Sequence, residues 1–373
     1  LALAASLAAV PAHAQNDAGE GEYVVQGERN TSFEPAFDAQ FRAPAMSSDF
    51  ELQTESLAGP LEHPWGIAAM PGGGFLVTER PGRLRHVADD GTISDPIEGV
   101  PEVVAEKQGG LLDVALGPDF ESDRAIYLTY AKPVGDGLSA TAAARAVLSE
   151  DLTALSEVQD IFVQEPGSTA PMHYGSRVLF DGEGNAYVTT GEHFTETYRD
   201  YAQDLDKTYG KVIRVGLEGS VPEGNPFVGQ DDAIGSIWSL GHRNIQSAAI
   251  GPDGQLWTIE HGPEGGDELN RPEPGLNYGW PVVSYGRNYD GSPVGPGEAS
   301  AEGFEQPVYF WDPVIAPSGM AFYDGGMFPE WEGDILAGSL YPGGLVRLSL
   351  EDDRVSGEER LLRDIGRVRD VEV

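Results

Sequence analysis

Residues 239–280 hold the side chains of this chain best suited to chemistry. The run SLGHRNIQSAAIGPDGQLWTIEHGPEGGDELNRPEPGLNYGW contains Arg243 and Asn244, a His-Gly-Pro corner at His261, Gly262 and Pro263, the carboxylates Asp267 and Glu268, and Tyr278. Arg supplies a permanent charge and a planar fork for a carboxylate or a developing oxyanion. Glycine frees the chain to turn and proline fixes its own φ, so adjacent carbonyls can aim at one point. Carbonyl and carboxylate oxygens suit a hard cation such as Ca²⁺. The spacing is not that of an EF-hand, and no His/Cys set suggests structural zinc. Upstream, His173 in PMHYGSR is a candidate general base, because an imidazole accepts a proton near neutral pH. Gln108, opening QGGLLDV, offers an amide to a carbonyl or carboxylate. Downstream, Arg367 and Arg369 flank Val368, and strand alternation places both on one face, where they suit a polyanionic ligand. Trp311, in YFWDPV, could stack on a planar ligand. Each residue also has a plainer reading, as a hydrogen-bonded structural His, a surface ion pair, a solvated acidic loop or a core aromatic.

What lifts these residues above the plainer readings is a shared register. A short apolar strand, a Gly/Asp/Pro turn and a second strand rich in β-branched and aromatic residues recur at 65–79, 111–131, 176–192, 247–262 and, with a longer turn, 319–340; a sixth copy begins at 367–373. Such turns between alternating runs signal antiparallel hairpins. Spacings of about 45 to 75 residues leave room for roughly four strands each, the size of a propeller blade. The expectation is therefore an all-β, six-bladed β-propeller of four-stranded antiparallel blades over residues 46–373, with the last blade truncated at the C-terminus. No strand–helix rhythm supports a doubly wound α/β fold. Gln108, His173, Arg243 and the Arg367/Arg369 pair each precede the first strand of a copy, so a propeller would gather them round one central opening.

The bulk numbers bound the partners. The chain has 373 residues, 40% of them hydrophobic, with 23 Lys+Arg against 61 Asp+Glu and a formal net charge of −38. That field repels phosphate backbones and anionic lipid, which argues against nucleic-acid and peripheral-membrane roles. No run approaches the roughly 18 apolar residues of a membrane span. The 49 Gly and 27 Pro fit many turns between short strands. The first 14 residues, LALAASLAAVPAHA, read as the remnant of a secretory signal peptide, and residues 15–45 as a flexible leader. The absence of cysteine is compatible with export to a periplasm or beyond.

Taken in order, HPWGIA, QGGLLDV, MHYGSR, GEH, YGKVIRV, GNPF, GHRN, EHGPEGGDE, NYGWP, IAPSGMAFY and RVRDV resemble the soluble PQQ-dependent glucose/sorbosone dehydrogenase family, and most of all its bacterial aldose sugar dehydrogenases. The matches run from His63 to Val373. The resemblance implies pyrroloquinoline quinone (PQQ) in the mouth of the propeller, with His173 as the base that takes the sugar's hydroxyl proton while hydride leaves C1 for the quinone. It implies Ca²⁺ on the Gly262 and Pro263 carbonyls as a Lewis acid, and Arg243 stabilising charge on the reducing cofactor. Gln108, Asn244, Arg367 and Arg369 would hold the cofactor, and Glu268 with the Tyr278 carbonyl would serve a second, structural calcium. The substrate would be an aldose, the product a lactone, and the electron acceptor a quinone, cytochrome or dye; the assembly would be a monomer or homodimer. Two departures stand out. Tyr341 occupies the place of a family lysine that contacts the cofactor, and Met172 replaces the Asp of the glucose-preferring branch. Readings from other classes are a calcium-dependent sugar lactonase and a non-catalytic propeller that binds carbohydrate or protein.

Overall fold

The repeated turns fold as their residues dictate. In GPDG, Asp253 Oδ1 accepts the N–H of Gln255 at 3.0 Å and Gly254 takes φ +78°, a left-handed turn position that suits glycine. The computed structural model describes residues 22–24 and 26–373. In it the hairpins build five antiparallel sheets. The first holds β1 (Pro64–Ala69), β2 (Phe75–Glu79) and β3 (Arg83–Val87). The second holds β4 (Leu111–Leu116), β5 (Ala125–Pro133), β6 (Ser139–Leu148) and β7 (Leu155–Val163). The third holds β8 (Val178–Phe180), β9 (Asn185–Thr189), β10 (Lys211–Gly216) and β11 (Ile237–Leu240). The fourth holds β12 (Ile245–Ile250), β13 (Leu256–Glu260), β14 (Asp267–Asn270) and β15 (Tyr309–Trp311). The fifth holds β16 (Pro317–Phe322), β17 (Ile335–Ser339), β18 (Leu345–Glu351) and β19 (Arg354–Leu361).

These are propeller blades, with β1, β4, β8, β12 and β16 innermost, but there are five among the described residues, not the six expected. The first has three strands. Residues 367–373 form no strand: their backbone bonds to the fifth blade are isolated and make no ladder, and the segment heads no sheet. It lies between the first and fifth blades instead. The Gly319 N–H donates to the Arg369 carbonyl at 3.0 Å, and the Ala69 N–H to Glu372 Oε1 at 3.1 Å. A Cβ on Gly319 would fall 1.6 Å from Asp370 Oδ1, so only glycine permits the approach.

Apolar cores fill the gaps between blades. Leu76, Leu84, Leu111 and Ile126 join the first two, and Tyr127, Ala143, Val188 and Ile213 the next two. Strand β6, SATAAARAVL, is alanine-rich yet extended, because its buried small side chains let neighbouring sheets close on it. The signal-peptide remnant expected at 1–14 lies outside the described residues. The described part of the leader is tied to the fourth and fifth blades: the Asn30 and Thr31 N–H groups donate to Asp312 at 2.8 and 2.9 Å, and Phe41 stacks on Phe310 with ring centroids 4.6 Å apart.

The axis is polar. Arg177, just before β8, is buried and pairs through Nη1 with Asp113 of β4 at 3.0 Å and with Asp370 of the terminal segment at 2.9 Å. Its Nε donates to the Gln246 carbonyl of β12 at 2.8 Å, and its guanidinium lies 4.4 Å from the Trp65 ring centroid of β1. Burial, with the like charge of Asp370 adding to it, pushes the Asp113 carboxyl up to about 6 against the pull of Arg177. Because that value exceeds the unfolded one, the contribution of this group is whole below the ordinary carboxylate range and is lost as pH rises through about 6. Arg177→Met would strand two buried carboxylates. It is expected to cost about 3–5 kcal/mol in urea unfolding at pH 8, and less at pH 5, where the stranded carboxyls can bind protons; a loss within error at pH 8 would contradict this account of the axis.

Candidate functional site

An antiparallel pair puts the start of its first strand and the end of its second at the same edge of the sheet. Repeated round a ring, that edge becomes a mouth, and the site is built there. His173 precedes β8 with φ +46°, an uncommon left-handed conformation for a non-glycine residue. Its N–H donates to Gln108 Oε1 at 2.8 Å, and its Nδ1 lies 3.0 Å from Glu192 Oε1. Gly191 is obligatory beside it, since a Cβ there would sit 2.1 Å from the His173 carbonyl oxygen. The buried imidazole meets the Phe194 ring edge to face at 4.9 Å. Burial and the charge of Arg243 hold its pKa below the ordinary value, with Glu192 opposing them. An ionised Glu192 accepts a proton-bearing Nδ1 and leaves the Nε2 lone pair free, the tautomer a general base needs.

Arg243 and Asn244, before β12, stand near His173. Arg243 donates its backbone N–H to the Glu260 carboxylate, and its Nη1 to the carbonyls of His261 at 3.0 Å and Gly262 at 2.7 Å. Its guanidinium lies 5.1 Å from the Trp280 ring centroid, and its Nε is buried without a partner. Asn244 Oδ1 accepts the Gly175 N–H at 3.0 Å.

Two cavities open on either side. One, of about 260 Å³, is lined by Gln108, Asn244, Arg367, Arg369 and Tyr341, together with Trp65, Arg80 and His261. Arg369 donates to Gln246 Oε1 at 3.1 Å, and burial plus the charges of Arg177, Arg367 and Arg80 bring its pKa down to about 10. The other, of about 210 Å³, is lined by Arg243, Glu192, Phe194, Pro263, Trp280 and Tyr289 among others. Adjoining them, a space of about 10 Å³ is bounded by Gly262, Glu268, Glu260 and Tyr278. Burial, with Glu260 alongside, pushes the Glu268 carboxyl well above its usual range. Asp267 is committed elsewhere, accepting the backbone N–H groups of Gly262, Ile315 and Ala316 at 2.8 Å each. Among the described residues no cluster of three or more His, Asp or Glu side chains is arranged to hold a metal ion.

The structure thus brings Gln108, Asn244, Arg367 and Arg369 to one cavity and Arg243 and Pro263 to the neighbouring one, while Gly262, Glu268 and Tyr278 bound the small space; His173 lines neither cavity and is buried between Gln108 of the first and Glu192 of the second. Trp311 is not among them. It ends β15, the outermost strand of the fourth blade, where its Nε1 donates to Glu358 at 3.2 Å and its ring packs on Tyr309. An outer strand cannot reach the axis; Trp65, on an innermost strand, lines the cavity instead. Glu192, Arg80 and the residues around Tyr341 had a legible signal, because each follows the second strand of a copy and so lies at the edge from which the pre-strand residues project.

A family model described as glucose/sorbosone dehydrogenase matches residues 61–373. The aldose sugar dehydrogenase of Escherichia coli K12 is 42% identical over 325 residues, covering 86% of each chain. A crystal structure of a glucose dehydrogenase superposes with TM-score 0.81 at 46% identity, over 83% of this chain and 90% of that one. The PQQ-bound aldose sugar dehydrogenase of Streptomyces coelicolor superposes with TM-score 0.70 at 29% identity, over 85% and 86%. With its propeller blades, its mouth and these likenesses in agreement, the chain belongs to the glucose/sorbosone dehydrogenase family of oxidoreductases.

Proposed function

We propose that this protein is an exported quinoprotein that oxidises aldoses at C1 to lactones, with PQQ as bound oxidant and Ca²⁺ beside it. The observation that carries the reading is a buried His173–Glu192 pair next to a cavity walled by Arg80, Arg367 and Arg369, none of which has a carboxylate within ion-pair distance among the described residues. In a chain of net charge −38, guanidiniums left unpaired call for a small polyanion. A tricarboxylic quinone has that chemistry. A lactonase would need a metal-held water and has no use for such a basin.

When bound, PQQ supplies the two-electron acceptor for the hydride from C1. The chain does the rest. His173 Nε2 takes the C1 hydroxyl proton. Glu192 holds Nδ1–H and stabilises the imidazolium that forms. Arg243 puts permanent positive charge beside the base, where it stabilises negative charge as electrons arrive. The amide oxygens of Gln108 and Asn244 are occupied by His173 and Gly175, which leaves their NH₂ groups to donate to cofactor carbonyls. The Gly262 and Pro263 carbonyls would hold the catalytic Ca²⁺, and Glu268 with the Tyr278 carbonyl a structural one. A divalent ion would relieve the buried Glu268–Glu260 repulsion. The final acceptor of the two electrons would be a quinone, a cytochrome or a dye. No helix among the described residues is long and apolar enough to cross a membrane.

Protein loaded with PQQ and Ca²⁺ is expected to reduce a redox dye when given aldoses. His173→Ala is expected to lower kcat by about 10²–10⁴ while retaining PQQ; full activity in that variant would refute the base assignment. Burial and Arg243 keep His173 neutral below the ordinary imidazole value, so the acid limb of kcat/KM should fall below about pH 6.5. Glu192→Gln removes the group that raises that value and should move the limb lower still, with a fall in kcat. A limb that moves upward would show that Glu192 does not support the imidazolium.

A further inference from the structure

Three arginines lie close together on the hairpin of β2 and β3, and they have different partners. Arg83 pairs with Glu79 at 2.8 Å and with Glu62 at 2.7 Å, and Arg85 with Glu79 at 2.9 Å. Arg80 has no carboxylate within ion-pair distance among the described residues, and it lines the mouth cavity with Arg367 and Arg369. This is not a loose surface side chain. Its N–H donates to the His63 carbonyl at 3.1 Å and its own carbonyl accepts the Leu111 N–H at 3.0 Å. Its Nη1 donates to the Lys107 carbonyl at 2.5 Å, while its Nε is buried with no hydrogen-bond partner. A Cβ on Gly110 would lie 2.1 Å from the Arg80 carbonyl oxygen, so the chain is cut close to hold Arg80 where it is.

The position is electrostatically unfavourable by itself. Arg80, Arg177 and Arg367 all repel Arg369, and of these Arg177 alone has its carboxylates, Asp113 and Asp370. Tyr341, which shares the cavity, brings no charge. We propose that Arg80 is a third guanidinium contact for the carboxylates of the bound cofactor, acting with Arg367 and Arg369 in the cavity they line. The proposal rests on the PQQ reading above. It also joins cofactor to base: Lys107, held by Arg80, is followed by Gln108, whose side chain fixes the His173 N–H.

The test is a titration of purified apo-protein with PQQ, followed by the absorbance of the bound cofactor at low and high salt, so that no turnover is needed. Arg80→Gln is expected to weaken binding by about tenfold at low salt, and to flatten the salt dependence. Arg80→Lys keeps the charge and gives up the fork, so it should weaken binding less; it carries the same comparison should the glutamine variant not fold. Arg85→Gln, on the same hairpin but paired to Glu79, should bind as wild type does. Arg80→Gln binding as tightly as wild type, or Arg85→Gln weakening to the same degree, overturns the proposal. A wild-type protein that takes up no PQQ overturns the cofactor reading itself, a result distinct from uptake that ignores Arg80.

Discussion

The buried ion triad of Arg177 with Asp113 and Asp370 is the constraint from which the site follows. Propeller blades are held to their neighbours by apolar packing, which is strong but indifferent to small rotations. A guanidinium at the axis is not indifferent. Arg177 touches the first blade through Trp65, the second through Asp113, the fourth through Gln246 and the terminal segment through Asp370. Asp370 in turn accepts the Ile67 N–H at 3.0 Å. Burying these charges is costly, and an apolar plug could give equal stability. What the charged triad adds is a fixed relation between blades, and with it a fixed place for Arg369, one residue from Asp370.

The mouth above the triad inverts the electrostatics of the molecule. In a chain dominated by carboxylates, Arg80, Arg367 and Arg369 line one cavity and Arg243 the neighbouring one. Those that hold carbonyls, such as Arg243 on His261 and Gly262, have their orientation set without being neutralised. The charge stays available to a ligand. His173 works in the same field. Arg243 lowers its proton affinity and Glu192 raises it, so in the proposed oxidation the imidazole would be neutral when substrate arrives and would have an ionised partner once it gains a proton. Two opposed charges on one imidazole do what neither could do singly.

Much of this was legible in the sequence because the chain repeats. Recurring strand–turn–strand units predicted antiparallel blades and placed Gln108, His173, Arg243 and Arg367 at one edge. Arg80 and Glu192 follow the second strand of a copy, an equivalent register that brings them to the same edge without a motif of their own. Trp311 misled because aromatic character says nothing about which strand of a blade carries it; its outermost position settles that. The count of six came from the motif at 367–373, which has the alternation of a strand but makes only isolated backbone bonds to the fifth blade and no ladder. The clamp of Arg177 reaches 64 residues along the chain to Asp113 and 193 to Asp370, and has no local signature at all.

The central claim is that one mouth joins a polyanion-binding basin to a proton-accepting imidazole so that a sugar can be oxidised there. It is tested most directly without any external acceptor, by anaerobic spectra of the protein loaded with PQQ and Ca²⁺ before and after an aldose is added. The account predicts that the bound quinone bands give way to those of the quinol, one cofactor per sugar oxidised. Bound quinone whose spectrum is unchanged by every aldose tried would contradict it.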